Sequence, residues 1–139
     1  MDTNCGLCLA VQETYRIVNS IDGIAYSLIP LTPMIEGHAM VLPAAHKQMK
    51  DLSANEVLAI NQLLIYVKEK LVTLYPSRPP LISTHSDTNH ASIPGHFHYH
   101  IIPSGGNLEK IMSQYDPLIY KKERKTPKEL ERRAAILKS

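Results

Sequence analysis

The chain of 139 residues contains only two cysteines, Cys5 and Cys8. That is too few for the disulfide framework that stabilises small secreted domains. Their Cys5-Gly6-Leu7-Cys8 spacing leaves a metal site or a redox pair as the alternatives. No apolar run approaches the roughly 18–20 residues a membrane span requires, and the first residues show no basic segment followed by an apolar stretch. The expectation is a soluble cytoplasmic protein with no membrane association. Gly-rich or Ser-rich linkers and internal repeats are also lacking, so nothing divides the chain, and its length suits a single domain of about 100–150 residues.

With 44% hydrophobic and 20% charged residues the composition is that of an ordinary globular protein rather than a disordered or fibrous one. The formal net charge of +2 is unevenly placed. Residues 121–139 carry eight Lys/Arg against three Glu, a net +5, which leaves residues 1–120 at −3. A weakly acidic body argues against broad nucleic-acid binding, while the basic tail remains a candidate contact for phosphates, nucleic acid or a partner surface. A solvated helix face is the plainer use of such a charge run.

Residues 15–18 and 24–29 are short β-branched or aromatic runs on either side of Asp22-Gly23, a favoured hairpin turn pair. A third strand is expected over residues 38–43, closed by Pro43. From Ser53 the apolar positions shift to a helical period through Val57, Ile60, Leu64, Val67 and Leu71. Ser53-Ala54-Asn55-Glu56 has the form of a capping box and Pro76 closes the segment, which gives one long amphipathic helix. Two further strands are expected at 81–84 and 96–102. Thr126-Pro127-Lys128-Glu129 then supplies a cap, a first-turn proline and a capping-box acid for a C-terminal helix to about Leu137. The order of strands, helix, strands and helix points to an antiparallel α+β domain with its helices on one face.

Within the last strand, His96, His98 and His100 alternate with Phe97, Tyr99 and Ile101, so the three imidazoles share one face. Three polar rings in a row are costly as core packing, because each buried nitrogen needs a partner and charging several would repel. A single ion does not easily take all three, since same-face neighbours on a strand stand about 6.6 Å apart. The row is better divided among different tasks. Cys5 and Cys8 supply half of a tetrahedral ligand set, and histidines are the available complement.

The segment His96-Phe97-His98-Tyr99-His100-Ile101-Ile102 resembles the signature of the histidine triad (HIT) superfamily. The stretch from Gly37-His38 through Pro43-Ala44-Ala45-His46 resembles its second landmark, and Cys5-Gly6-Leu7-Cys8 resembles its zinc-containing branch. The resemblance implies a HIT-like α+β fold over residues 1–120, with a five-stranded antiparallel sheet and one long central helix. Residues 121–139 would form a basic C-terminal helix or tail packed on or extending that domain. It further implies a homodimer and a hydrolase or nucleotidyl transferase acting at the α-phosphorus of a nucleoside phosphate derivative. By the same resemblance Cys5, Cys8, His46 and His96 hold a structural zinc ion, His98 is the nucleophile and His100 stabilises the phosphoryl oxygens. His38 is a candidate for the substrate pocket.

The chain departs from the family pattern where many members place an acidic residue on the ribose hydroxyls, a position held here by Pro30. Where members carry a Gln-Ser pair before the signature it has Ser92 and Ile93, and His85 or Ser86 falls near the place of a loop asparagine. Leaving-group and phosphate contacts are therefore expected from His85, Asn89 and Ser92, with His90 a further candidate. Two other functions follow if those contacts have drifted or the cysteines act alone. One is a nucleotide-binding or regulatory module that keeps the fold; the other is a CxxC redox or metal-handling protein.

Overall fold

The computed structural model describes residues 5–84, 95–104 and 123–138. Five strands, β1 (Ile17–Ile21), β2 (Ala25–Leu28), β3 (Ala39–Pro43), β4 (Pro80–Ser83) and β5 (Tyr99–Pro103), form one antiparallel sheet in the order β1-β2-β3-β5-β4. Among the described residues three α-helices accompany it: α1 (Gly6–Ala10), α2 (Ala54–Leu74) and α3 (Pro127–Lys138).

The hairpin between β1 and β2 turns at Asp22 and Gly23, both with positive φ (51° and 68°), and the Ile24 amide closes the turn on the Ile21 carbonyl at 2.8 Å. The first strand starts later than expected because Tyr15 and Arg16 lie in a single 3-10 turn. Buried Arg16 fixes that turn by donating from Nε to the Ile29 carbonyl at 2.8 Å and from a terminal nitrogen to Glu13 at 3.1 Å.

The expected capping box is present. Ser53 Oγ accepts from the Glu56 amide at 3.1 Å and the Glu56 carboxylate accepts from the Ser53 amide at 2.8 Å. Two of the four orphan amides at the start of α2 are thereby satisfied. The buried stripe of α2, including Ile60, Leu63, Val67 and Leu71, packs with Val18, Ala39, Val41 and Ile101 of the sheet and with Leu130, Ala134 and Leu137 of α3.

The opposite face of the sheet is also covered, which corrects the expectation of helices on one side alone. Met40 and Leu42 join Leu28 and the α1 residues Leu7, Cys8 and Ala10 in a second cluster. Alternation along β3 thus sends Ala39 and Val41 to one core and Met40 and Leu42 to the other. The α1 helix is one turn long with no periodic apolar pattern to announce it.

The strand expected over residues 96–102 is shorter at its start. β5 begins at Tyr99, and residues 96–98 lie outside the strand. The alternation nevertheless extends through them: Phe97, Tyr99 and Ile101 lie with the α2 core, while His100 is in register with Met40 of the opposite face.

Gly37 sets the entry to β3. Its φ of +94° is one that L side chains rarely adopt, and a methyl there would stand 2.9 Å from both Pro103 Cγ and Tyr75 Cε2. The same turn is tied to α3, since Arg132 donates to Glu36 at 3.0 Å. No helix among the described residues is long and apolar enough to cross a membrane.

Candidate active site and metal centre

The four residues Cys5, Cys8, His46 and His96 come together from three parts of the chain. Cys5 caps α1 and Cys8 lies in its first turn, with the Cys8 amide donating to Cys5 Sγ at 3.4 Å. His46 follows β3, and His96 precedes β5. Their ligand atoms all lie within 4.8 Å of one another. His96 Nδ1 stands 3.4 Å from each sulfur, and His46 Nδ1 stands 3.5 Å from Cys8 Sγ.

The three separations of 3.4–3.5 Å match edges of a tetrahedron around an ion with metal–sulfur bonds of about 2.3 Å and metal–nitrogen bonds of about 2.0 Å, which are roughly 3.3–3.8 Å long. The chemistry of the donors agrees. His96 Nε2–H donates to the Pro43 carbonyl at 2.8 Å, so Nδ1 carries the lone pair that faces the two sulfurs. Burial holds the His96 ring below the ordinary histidine value and pushes the Cys5 thiol up. The imidazole is therefore ready to ligate, whereas the thiol must release a proton when an ion arrives. This group can hold a metal ion, with Cys5, Cys8 and His96 buried and His46 on the solvent side.

Three further histidines continue from this centre along the same face. His98 is 2% exposed, and its Nδ1 lies 2.9 Å from the His96 carbonyl oxygen. A carbonyl only accepts, so Nδ1 bears the proton and the in-plane lone pair of His98 resides on Nε2. The His98 and His100 rings meet edge to face with centroids 5.2 Å apart.

His100 is governed from behind by His38. The Met34 amide donates to His38 Nδ1 at 3.0 Å, which places the His38 proton on Nε2. That Nε2 lies 2.9 Å from His100 Nδ1. The proton between them belongs to His38, so His100 is the Nε2–H tautomer and presents a donor on its far side. Burial, reinforced by the Arg133 guanidinium, holds His38 down to about 3, which keeps the relay neutral at ordinary pH.

The site expectations thus divide into three groups. Cys5, Cys8, His46 and His96 converge on one point; His38, His98 and His100 form a second, contiguous cluster that shares His96 with the first. His85, Asn89 and Ser92 lie outside the described residues, as do His90 and Ile93. Pro30 is buried two residues after the end of β2. Two contributors were not foreseen. The Met34 amide sets the His38 tautomer, and the Thr84 hydroxyl donates to the His98 carbonyl at 2.6 Å. A backbone donor leaves no mark in the sequence, and a threonine at a strand end has many ordinary uses.

The buried, uncharged state of His38 carries a pH signature. Its folded value lies below the unfolded value near 6.5, so the unfolded chain binds more protons in the window between them. The associated stability is fully present above about pH 6.5 and is lost as pH falls toward 3. Urea unfolding at several pH values through this window should give a shallower pH slope for His38→Gln than for the wild type, by up to about one proton. Parallel slopes would show that His38 titrates alike in both states.

No protein-family model matches the chain, and no curated protein sequence does. Solved structures do. The C. elegans NitFhit protein matches 89% of this chain with a TM-score of 0.69 and 17% identity, and the chain spans 27% of its length. The Plasmodium falciparum diadenosine triphosphate hydrolase, crystallised with cyclomarin A, matches 89% of this chain and 74% of its own at 0.69 and 19% identity. A zinc-bound histidine triad family protein from Mycobacterium smegmatis matches 96% of this chain and 92% of its own at 0.66 and 16% identity. With its five-stranded sheet, its long α2 and the histidine row on the opposite face, this chain has the histidine triad fold.

Proposed function

We propose that the protein is a nucleotide hydrolase or nucleotidyl transferase that acts at the α-phosphorus of a nucleoside phosphate derivative through His98. The observation that carries this reading is the hydrogen bond from His98 Nδ1 to the His96 carbonyl, because it puts the nucleophilic lone pair on Nε2. In the first step Nε2 forms a bond to phosphorus as the bond to the leaving group breaks, and the leaving group departs with the bonding electron pair. The ring then carries a positive charge, which the Nδ1–H···O=C contact stabilises. Water or another acceptor cleaves the nucleotidyl-histidine in the second step.

His100 fits the task of stabilising negative charge on the phosphoryl oxygens. Its Nε2–H is fixed as a donor by His38, so no proton has to be rearranged as charge develops. In this reading His38 acts through His100 from behind the pocket. Contacts to the leaving group are assigned to His85, Asn89 and Ser92. The fold likeness to a diadenosine triphosphate hydrolase makes dinucleoside polyphosphates, together with nucleoside phosphoramidates, the first substrates to offer.

The ion at the Cys5–Cys8–His46–His96 group is read as zinc. Two thiolates and two imidazoles gathered within 4.8 Å suit it, and four protein ligands leave no position for substrate, so its task is structural.

The protein is also read as a homodimer. Leu58, Ile65 and Val72 recur every seven residues along α2 and are 58%, 54% and 43% exposed, which aligns three apolar side chains on the outer side of the helix, with polar Asn61 and Glu69 between them. Ile82, on the outermost strand β4, is 40% exposed. A two-fold arrangement would bury this stripe against its own copy.

Three outcomes test these readings. The wild type should release a nucleotide from at least one member of the substrate panel and yield an acid-labile nucleotidyl-enzyme on rapid quench, while His98→Ala folds normally and loses at least ~10³-fold in kcat. Full turnover by folded His98→Ala would end the proposal. Elemental analysis should find one zinc per chain, and chelation should lower the melting temperature in a way that added zinc reverses. Protein without metal and with a ready Cys5–Cys8 disulfide would instead favour redox chemistry. Sedimentation equilibrium should give twice the chain mass, and Leu58→Glu should shift it to the monomer; a monomeric wild type at tens of micromolar protein would remove the dimer.

A further inference from the structure

The four ligand positions of the metal centre are not held alike. Cys5 and Cys8 are buried in the apolar cluster with Leu7, Leu28, Met40 and Leu42, and the Cys8 amide donates to Cys5 Sγ. His96 is buried as well. Its Nε2–H is engaged by the Pro43 carbonyl, and the peptide that joins it to Phe97 is tied to the Lys47 carbonyl at 2.8 Å. With His96 Nδ1 3.4 Å from each sulfur, these three donors are fixed in place from within the fold.

His46 lacks each of those restraints. It is exposed, and its Nδ1 stands 3.5 Å from Cys8 Sγ. A ligating histidine ordinarily has its second ring nitrogen fixed by a carbonyl or carboxylate. His96 has such a partner, whereas among the described residues no acceptor bonds His46 Nε2. That nitrogen lies beside Gly95, where an added β-carbon would come to 3.4 Å, so the glycine leaves the ring uncovered. The backbone repeats the contrast. The Ala44 amide is held by the Ile24 carbonyl and the Lys47 carbonyl holds the Phe97 amide, but among the described residues no backbone bond engages the three peptide units between them.

We propose that His46 is the replaceable ligand of the centre, so that zinc enters and leaves on its side by exchange of the His46 ring for an incoming thiolate while Cys5, Cys8 and His96 stay bound. The proposal rests on the reading of the ion as zinc. Zinc has a filled d shell and can pass through five-coordination, so a donor from solvent can bind before a protein ligand departs. In the exchange a metal–sulfur bond forms, the bond to His46 Nδ1 breaks with its electron pair returning to the ring, and the proton of the thiol passes to solvent. Charge favours the same side. Two thiolates neutralise the ion and a third makes the centre anionic, a charge that stays hydrated only at the exposed position. The centre would thus load and yield its ion without opening the domain.

The test begins with full-length chain carrying one zinc per molecule, mixed with a chromogenic zinc indicator and increasing 2-mercaptoethanol. The rate of release should rise in proportion to the thiol. His46→Ala, altered at an exposed side chain, should still take up one zinc per chain and hold it ~10–100-fold more tightly than His96→Gln does in competition titrations, because the lost ligand is the one without a fixed second nitrogen. With cobalt in place of zinc, His46→Ala should keep the visible bands of a four-coordinate ion, and added thiol should shift them as it fills the vacated position.

A release rate independent of thiol would mean that the ion escapes only when the fold opens, and would overturn the proposal. Equal affinities in the two variants would do the same. If His96→Gln does not fold, the thiol dependence of the wild type and the cobalt bands of His46→Ala decide. A chain that is isolated with another ion yet loads zinc would overturn the identity of the ion alone, since the loaded chain still decides the role of His46.

Discussion

The organisation of the site depends on the orientation of hydrogen-bonding protons among neutral imidazoles. A histidine ring has one donor and one acceptor when uncharged, and its partner decides which nitrogen is which. Here the partners are backbone groups at each end of the row. The Pro43 and His96 carbonyls can only accept, and the Met34 amide can only donate, so His96, His98 and His38 each receive a defined tautomer, and His100 inherits its own from His38. Burial reinforces the pattern, because a charged ring in this row would lose its hydration beside other imidazoles.

Much of this frame was legible in the residues. The Asp22-Gly23 turn, the Ser53–Glu56 capping box and the helical period up to Pro76 each rest on local chemistry, and each is found where the residues require it. The convergence of Cys5 and Cys8 with two histidines distant in sequence followed from resemblance rather than from spacing, because no local rule relates position 5 to position 96. Alternation correctly separated the histidine face from the Phe97–Tyr99–Ile101 face. It also overextended β5, since residues 96–98 keep strand-like alternation while side-chain bonds and the Phe97–Lys47 backbone bond, rather than strand pairing, supply their contacts.

The parts that were not legible share a physical cause. One-turn α1 has too few residues for any periodicity to emerge, and it covers the sheet by means of Leu7, Cys8 and Ala10. Tyr15 and Arg16 have the composition of a strand, yet the guanidinium finds its partners in Glu13 and the Ile29 carbonyl, and tertiary bonding wins over local preference. The basic C-terminal segment was expected mainly as a charged face. Its helix also places Leu130, Ala134 and Leu137 in the main core and ties the Glu36–Gly37–His38 turn to its own surface through Arg132.

The double coverage of β3 bears on how firmly the two halves of the histidine row are held. A strand with both faces sealed and hydrogen-bonded neighbours on each side opens only when the whole domain opens, and its amides should be among the slowest to exchange with solvent. His38 directly precedes that strand and shares its permanence, whereas His96 and His98 lie before the start of β5 and are held by side-chain bonds and by the Phe97 amide on the Lys47 carbonyl. One bank of the histidine row is thus secured by the sheet itself and the other by bonds made outside it.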